Sequence, residues 1–366
     1  MRNLPIKKIA TTRWKKKIEE PMKKTTCLAI SAVVFALLLG ANVATALESI
    51  PVKSGFSGFF RPGVGYMRYK SNMVASFLGY RLSERITNSL TDSPNTESNT
   101  IVMPLFALQY TFASTRTQLF VSSDLRDIVR FDLSQQLGVK QEIGRFGMLQ
   151  GGFLFTGIPA KVWKDPYVVD QKRNDTSRRS NGARLAWDRI FGSNFQLQYT
   201  YRKIDLGSEK SGEFLGLSPN RRDRLDREGD RHLAEAFYRI NFAKKHRLMP
   251  QIIYTRDDLD GDAMANDAFD FQLTYAYFGD PFVLTLNGLI GTADYDKSNP
   301  IYSRTRDDDR YGVQGTLYYK NPWDWTLFGS APINVYLGAT YFETDANIDF
   351  YDQEVTMVSG GLFFRW

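Results

Sequence analysis

The feature that most constrains this chain is the strict alternation of apolar and polar residues in one segment after another. In Phe195-Gln196-Leu197-Gln198-Tyr199-Thr200-Tyr201-Arg202 every odd position is apolar or aromatic and every even one is polar or charged. Phe269 to Tyr275 repeats the pattern, as do Val129 to Val139 and Ile333 to Tyr341. Successive side chains of a β-strand point to opposite faces, so each segment presents one greasy and one wet surface. Hydrophobic residues make up 43% of the chain, with 26 Phe, 19 Tyr and 6 Trp, and they are spread through these short runs rather than gathered into helical faces. The runs are about ten residues long, with aromatics near the ends of the greasy face, as in strands that cross a bilayer.

About fourteen such strands can be laid out, with boundaries good to a few residues. They fall near 56–68, 99–112, 115–122, 128–141, 146–156, 178–190, 194–205, 232–243, 247–256, 267–278, 281–292, 309–320, 331–344 and 353–366. Tight links at Thr115, Gly144-Arg145, Gly192-Ser193, Lys244-Lys245-His246 and Gly279-Asp280-Pro281 alternate with long polar links at 70–98, 157–177, 206–231, 257–266 and 293–308. A longer link at 319–330 breaks the rule on the short side. Short turns on one side and long loops on the other are the pattern of transmembrane barrels, and an even strand count returns both termini to the short-turn side. An open sheet edge in hydrocarbon leaves a row of unpaired N–H and C=O groups, so the sheet must close. The expected fold is therefore all-β: a single transmembrane antiparallel up-and-down β-barrel over residues 47–366.

Ahead of the barrel, Met22 is followed by Lys23 and Lys24, an apolar run from Cys27 to Leu39, and then Ala44-Thr45-Ala46. A positive start, a short apolar stretch and a small-x-small end are what the secretory translocase and signal peptidase read. Residues 22–46 are expected to be a signal peptide cleaved after Ala46, with Ala44 and Ala46 as the recognised small residues. Residues 1–21, basic and without apolar periodicity, are expected to be a mis-assigned extension, with translation starting at Met22. Residues 1–46 hold nine Lys/Arg and two acids, so the whole-chain 47 basic and 40 acidic residues fall to 38 and 38 beyond them. The apparent net charge of +7 thus belongs to the leader, and a nucleic-acid partner is not implied. The single cysteine, Cys27, also lies in the leader, which leaves the barrel without a disulfide or a thiolate metal site.

The chain ends Ser359-Gly360-Gly361-Leu362-Phe363-Phe364-Arg365-Trp366. With Ser359, Gly361, Phe364 and Trp366 in the characteristic places, this resembles the terminal signal of outer-membrane proteins. The resemblance implies recognition by the barrel-assembly machinery. Trp366 would then sit at the membrane interface, where an amphipathic ring is favourable. The stretch from Ser54-Gly55-Phe56-Ser57-Gly58 through Gly63-Val64-Gly65-Tyr66 to Ser71-Asn72-Met73 is similar to an uncharacterised family of Gram-negative outer-membrane proteins, classed only as a domain of unknown function. It implies an outer-membrane location and carries no activity over.

The inward positions of these strands carry Arg61, Arg130, Asp132, Lys140, Arg184, Asp188, Arg202, Glu235, Arg239, Asp270 and Arg365. Arg184, Arg202 and Arg239 on three consecutive strands suggest a positive strip that favours anions; interspersed Asp188 and Glu235 suggest instead a salt-bridge network that stiffens the wall. The acidic run Asp257-Asp258-Leu259-Asp260-Gly261-Asp262 is a weak cation candidate through Asp258, Asp260 and Asp262, since its spacing departs from the helix-loop-helix calcium pattern. The runs 220–224 and 304–310 read as external loops near lipopolysaccharide phosphates, or as loops folded into the mouth. With two histidines, His232 and His246, and no triad spacing, no catalytic residue and no cofactor are expected. The expected function is a porin-like channel for small hydrophilic solutes, with an anion bias if the positive strip reading holds. The alternative is a non-conducting surface protein, structural, adhesive or a receptor, with its lumen plugged by the 157–177 and 206–231 loops; a membrane-embedded hydrolase ranks below both. Outer-membrane lipid and lipopolysaccharide are its expected surroundings.

Overall fold

A computed structural model describes residues 49–124, 134–327 and 331–366. Fourteen wall strands close into one antiparallel barrel. In chain order they are β1 (Gly55–Arg61, continued as Gly63–Lys70), β2 (Thr96–Val102 and Leu105–Phe112), β3 (Thr117–Asp124), β4 (Ser134–Glu142), β5 (Met148–Thr156), β6 (Asp175–Asp188) and β7 (Phe195–Leu206). They continue as β8 (Gly229–Tyr238 and Ile240–Phe242), β9 (His246–Leu259), β10 (Asn266–Phe278), β11 (Phe282–Asn299), β12 (Arg304–Tyr319), β13 (Ala331–Ala346) and β14 (Gln353–Arg365). Each strand pairs with its neighbours in sequence, and β14 returns to β1 from Gly63↔Gly361 to Lys70↔Glu354, with Phe59↔Arg365 below the Pro62 break. Prolines interrupt the wall at Pro62 and Pro104, side by side on β1 and β2, because proline brings no N–H to the ladder.

Alternation decides what each face meets. Along β7 the even residues Gln196, Gln198, Thr200 and Arg202 are buried toward the lumen, while Leu197 and Tyr199 are exposed on the outside. The outer face carries Val64, Leu108, Leu119, Leu137, Phe153, Leu185, Ile252, Phe271, Ile290, Leu337 and Val358, all exposed, and so forms a continuous apolar belt. No helix among the described residues is long and apolar enough to cross a membrane; here the strands cross. At the short-turn end the belt is rimmed by rings: Phe146 and Trp187 against Phe191, Phe282 stacked on Tyr319, and Trp323 beside Trp325. Such rings favour the membrane–water interface.

The strand layout matches the alternation read from the sequence, and three details differ. The link expected at 293–308 is largely strand and the one at 257–266 partly so: β9 and β11 extend past the belt, and their hairpins turn over at 260–265 and 300–303. The first long loop is not free either. Val74–Phe77 pairs with Tyr80–Arg81 and with Ala160–Trp163, which in turn pairs with the start of β6. Third, the 319–330 link holds a short strand, Thr326–Leu327, paired to the start of β13. The readings for Arg130, Asp132, Ala44, Ala46 and residues 1–21 lie outside the described residues.

Closing the wall requires stagger. The register row that starts at Asp188, at the short-turn end of β6, runs through Gln196, Phe237, Gln251, Gln272, Leu289, Gly312, Phe342 and Val355 to Tyr69, at the loop end of β1. Residues in one row therefore do not share a height, and this sets which lumen side chains meet.

Candidate functional site

The lumen holds a cavity of about 1160 Å3. It runs from the loop end, at Met264 and Tyr351, to the short-turn rim, at Lys320, Arg365 and Trp366. Twelve arginines and lysines line it against three carboxylates, Glu235, Asp257 and Asp308.

Half-way along, amides form a girdle. Gln198 and Gln251 (2.8 Å) both donate to the Glu235 carboxylate, and Gln272 donates to Gln251 (3.1 Å). Arg184 donates to Thr200 Oγ1 (2.9 Å) and Gln136 Oε1 (3.4 Å) on the facing strands. Glutamine offers a donor and an acceptor on one amide, so neighbouring strands can be laced together without net charge.

On the loop side of the girdle, cations are matched by carboxylates. Arg231 grips Asp257 through two bonds (2.5 and 2.7 Å), Arg306 grips Asp308 through two (both 2.7 Å), and Arg310 pairs with Asp270. Arg202 lies here as well, donating to Ser134 Oγ (2.5 Å). Above this level the described loops converge. Tyr167, Leu225, Met264, Ile348, Phe350 and Tyr351 form a buried cluster joined by Met73, Leu90, Leu215 and Ile301, so six loops contribute to one lid. The Tyr167 and Tyr351 hydroxyls are 2.6 Å apart, and Asn299 donates to Tyr351 (2.6 Å). Burial holds both phenols above their usual range, so they bond as neutral hydroxyls. Arg221 and Arg224 reach across to the carbonyls of Pro300 and Ser298, and Arg227 pairs with Glu209 (2.6 Å). Below the lid, Phe77 and Leu82 of the first loop pack on the inward Met67, Tyr69, Ile101 and Met103.

On the short-turn side the chemistry changes. Asp188 pairs with Arg239, and three cations of the inner wall lie against rings: Arg61 over Tyr336 (4.6 Å), Lys140 over Phe120 (5.3 Å) and Arg247 over Phe278 (5.1 Å). At the rim, Ile50 is buried against Met148 and Ala186, and Arg116 donates to the Ile50 (2.7 Å) and Pro51 (2.8 Å) carbonyls.

Arg184, Asp188, Arg202, Glu235, Arg239 and Asp270 lie on the inner wall. Stagger separates the supposed arginine strip: Arg202 faces Arg231 toward the loop end, Arg184 sits at the girdle, and Arg239 lies at the short-turn end. Asp258 and Asp262 engage Arg256 (3.1 Å) and Arg224 (3.0 Å), and among the described residues no acidic or histidine cluster has metal-holding geometry. Asp260 closes the hairpin through its backbone, whose N–H donates to the Glu228 carbonyl (2.9 Å). His232 faces outward, bonded to the Tyr199 hydroxyl (2.7 Å). Arg221 and Arg224 are used between loops, Arg222 within its own loop, and Arg306 and Arg310 point into the lumen rather than away from it. Sequence reasoning missed the glutamine girdle, although every second residue of β7 announces it.

The terminal residues divide by face. Ser359 is buried on the inner side, and Gly361 lies where a Cβ would collide with the Pro62 carbonyl. Phe364 stacks on Phe60 (6.4 Å), and Trp366 exchanges two backbone bonds with Gly58 (3.0 and 3.1 Å).

The sequence matches the family described as "Protein of unknown function (DUF2860)" over residues 55–365. The chain belongs to this family. No curated protein matches it. Among solved structures, the DUF2860 barrel is similar to the in-vitro folded outer-membrane protein OmpT of Vibrio cholerae, at 11% identity and a TM-score of 0.37, covering 88% of this chain and 100% of that one. It is also similar to an outer membrane channel from Pseudomonas putida F1, at 10% identity and 0.38, covering 87% and 98%, and to OccK7 of Pseudomonas aeruginosa, at 11% and 0.34, covering 86% and 99%. At these scores the likenesses carry no functional correspondence. The apolar belt, the closed wall and the even strand count are the protein's own marks of an outer-membrane β-barrel.

Proposed function

We propose that this DUF2860 protein is a loop-gated outer-membrane channel for small hydrophilic solutes, with a preference for anions. The observation that carries the reading is the charge of the lumen lining: twelve basic side chains against three acidic ones around a cavity that reaches the short-turn rim. Charges lining a narrow path act on a passing ion at short range, where salt screens them little. Asp188 and Asp270, which partner Arg239 and Arg310, reduce the excess without reversing it.

In this reading the chain is exported by the signal peptide ending at Ala46, and the terminal strand with Phe364 and Trp366 is taken up by the barrel-assembly machinery. The exposed loop faces meet lipopolysaccharide, and the protein has no enzymatic role. The second reading, a non-conducting surface protein, is favoured by the lid, whose apolar cluster spans the mouth. Planar-bilayer recordings of the refolded barrel separate the two. Discrete conductance steps are expected, rare in the intact protein and frequent once the lid is weakened. A barrel silent in both forms favours the surface protein.

A further inference from the structure

We propose that the short-turn half of the lumen binds aromatic carboxylates, with Arg61 taking the carboxylate and the rings beside it taking the aromatic body. This rests on the lumen being the functional site and names the solute class it prefers.

The corner is built by β1, β12, β13 and β14. Arg61 stacks on Tyr336 (4.6 Å) and donates one N–H to the Tyr318 hydroxyl (3.0 Å). Phe363 packs edge-on to Tyr318 (5.5 Å) and against Phe59 (5.8 Å), and Phe59 lies directly opposite Arg365 in the register. Gly63 makes room for this arrangement, because a Cβ there would collide with the Tyr336 hydroxyl. The result is a guanidinium fixed in a plane at the edge of a row of rings facing the cavity.

What Arg61 lacks is the telling part. Arg231, Arg239, Arg306 and Arg310, also on the inner wall, each hold a carboxylate of the protein. Among the described residues Arg61 has no carboxylate partner, and its buried Nε has no hydrogen-bond acceptor. A planar guanidinium that lines the cavity without a carboxylate of the protein suits an arriving carboxylate through two parallel bonds. The rings add the second half of the selectivity: an aromatic body gains edge and stacking contacts with Phe59 and Phe363 that a small anion cannot make. A cation with the same body is repelled by the surrounding basic groups.

The test is isothermal titration of the full refolded barrel in detergent with phenylacetate, acetate and phenethylammonium as probes. Phenylacetate is expected to bind about tenfold more tightly than acetate, as one added aromatic contact supplies, while phenethylammonium gives no binding heat. Arg61→Gln is expected to remove phenylacetate binding, Arg61→Lys to keep a weakened remnant because the charge stays and the fork is lost, and Phe363→Leu to lower the phenylacetate-to-acetate ratio. Equal affinity for phenylacetate and acetate, binding of the cation, or unchanged binding in both Arg61 variants would overturn the proposal. The titration needs no ion flow. A barrel that binds phenylacetate but never conducts refutes the channel and keeps the site, and one that conducts without binding does the reverse.

Discussion

The two halves of the lumen use the same residue type in opposite ways. Toward the loops, Arg231, Arg306 and Arg310 are each tied to an aspartate and roofed by an apolar cluster, so their charge is spent on holding the wall and lid together. Toward the short turns, Arg61 and Arg247 rest on aromatic faces, which steady a cation without cancelling its field. A paired arginine is an element of structure, whereas a stacked one still offers its charge to a solute. On the proposed channel function, gating would fall to one half and recognition to the other.

The largest effect should come from opening the lid. Replacing residues 212–226 with a short Gly-Ser linker removes Leu215, Leu217 and Leu225 from the cluster and Arg221 and Arg224 from their clasps. Single-channel recording is expected to show a severalfold rise in open time with the barrel intact; unchanged traces would mean that the lid does not gate. Next is Asp188→Asn, at the Asp188–Arg239 pair of the short-turn half. Losing the buried Asp188 partner from this largely buried ion pair costs about 3 kcal/mol, to be read as a lower denaturant midpoint, and it leaves Arg239 to strengthen anion preference. If selectivity does not move, the short-turn half does not set it. A smaller change is expected for Tyr351→Phe, which removes the bonds to Tyr167 and Asn299 at about 1 kcal/mol and should appear as faster amide exchange in the lid alone. Asp258→Asn should be close to silent, within about 0.5 kcal/mol, because its bond to Arg256 is exposed and Asp296 holds the same arginine.

This contrast was only partly legible in the sequence. The period of two placed the wall strands and the inward faces, because a strand in a barrel between lipid and lumen has no other way to satisfy both. Residues such as Glu235, Arg239 and Asp270 could be assigned to the lumen for that reason. Their heights could not, since stagger is a property of closure and not of any one strand, and so Arg202 and Arg239 looked like neighbours when they lie at opposite ends. The infolded first loop left one faint trace. Around Val64-Gly65-Tyr66-Met67-Arg68-Tyr69 the inward Met67 and Tyr69 are as greasy as the outward Tyr66, which signals a buried partner on the lumen side. The lid arginines were ambiguous because a charged run serves equally as a solvated loop or an interloop clasp.

The central claim is that the lumen's field is positive. The reversal potential of the refolded, lid-shortened barrel across a potassium chloride gradient measures it directly. A reversal potential displaced toward the chloride equilibrium value is the predicted result, reduced in Arg61→Gln; displacement toward the potassium value would contradict the account.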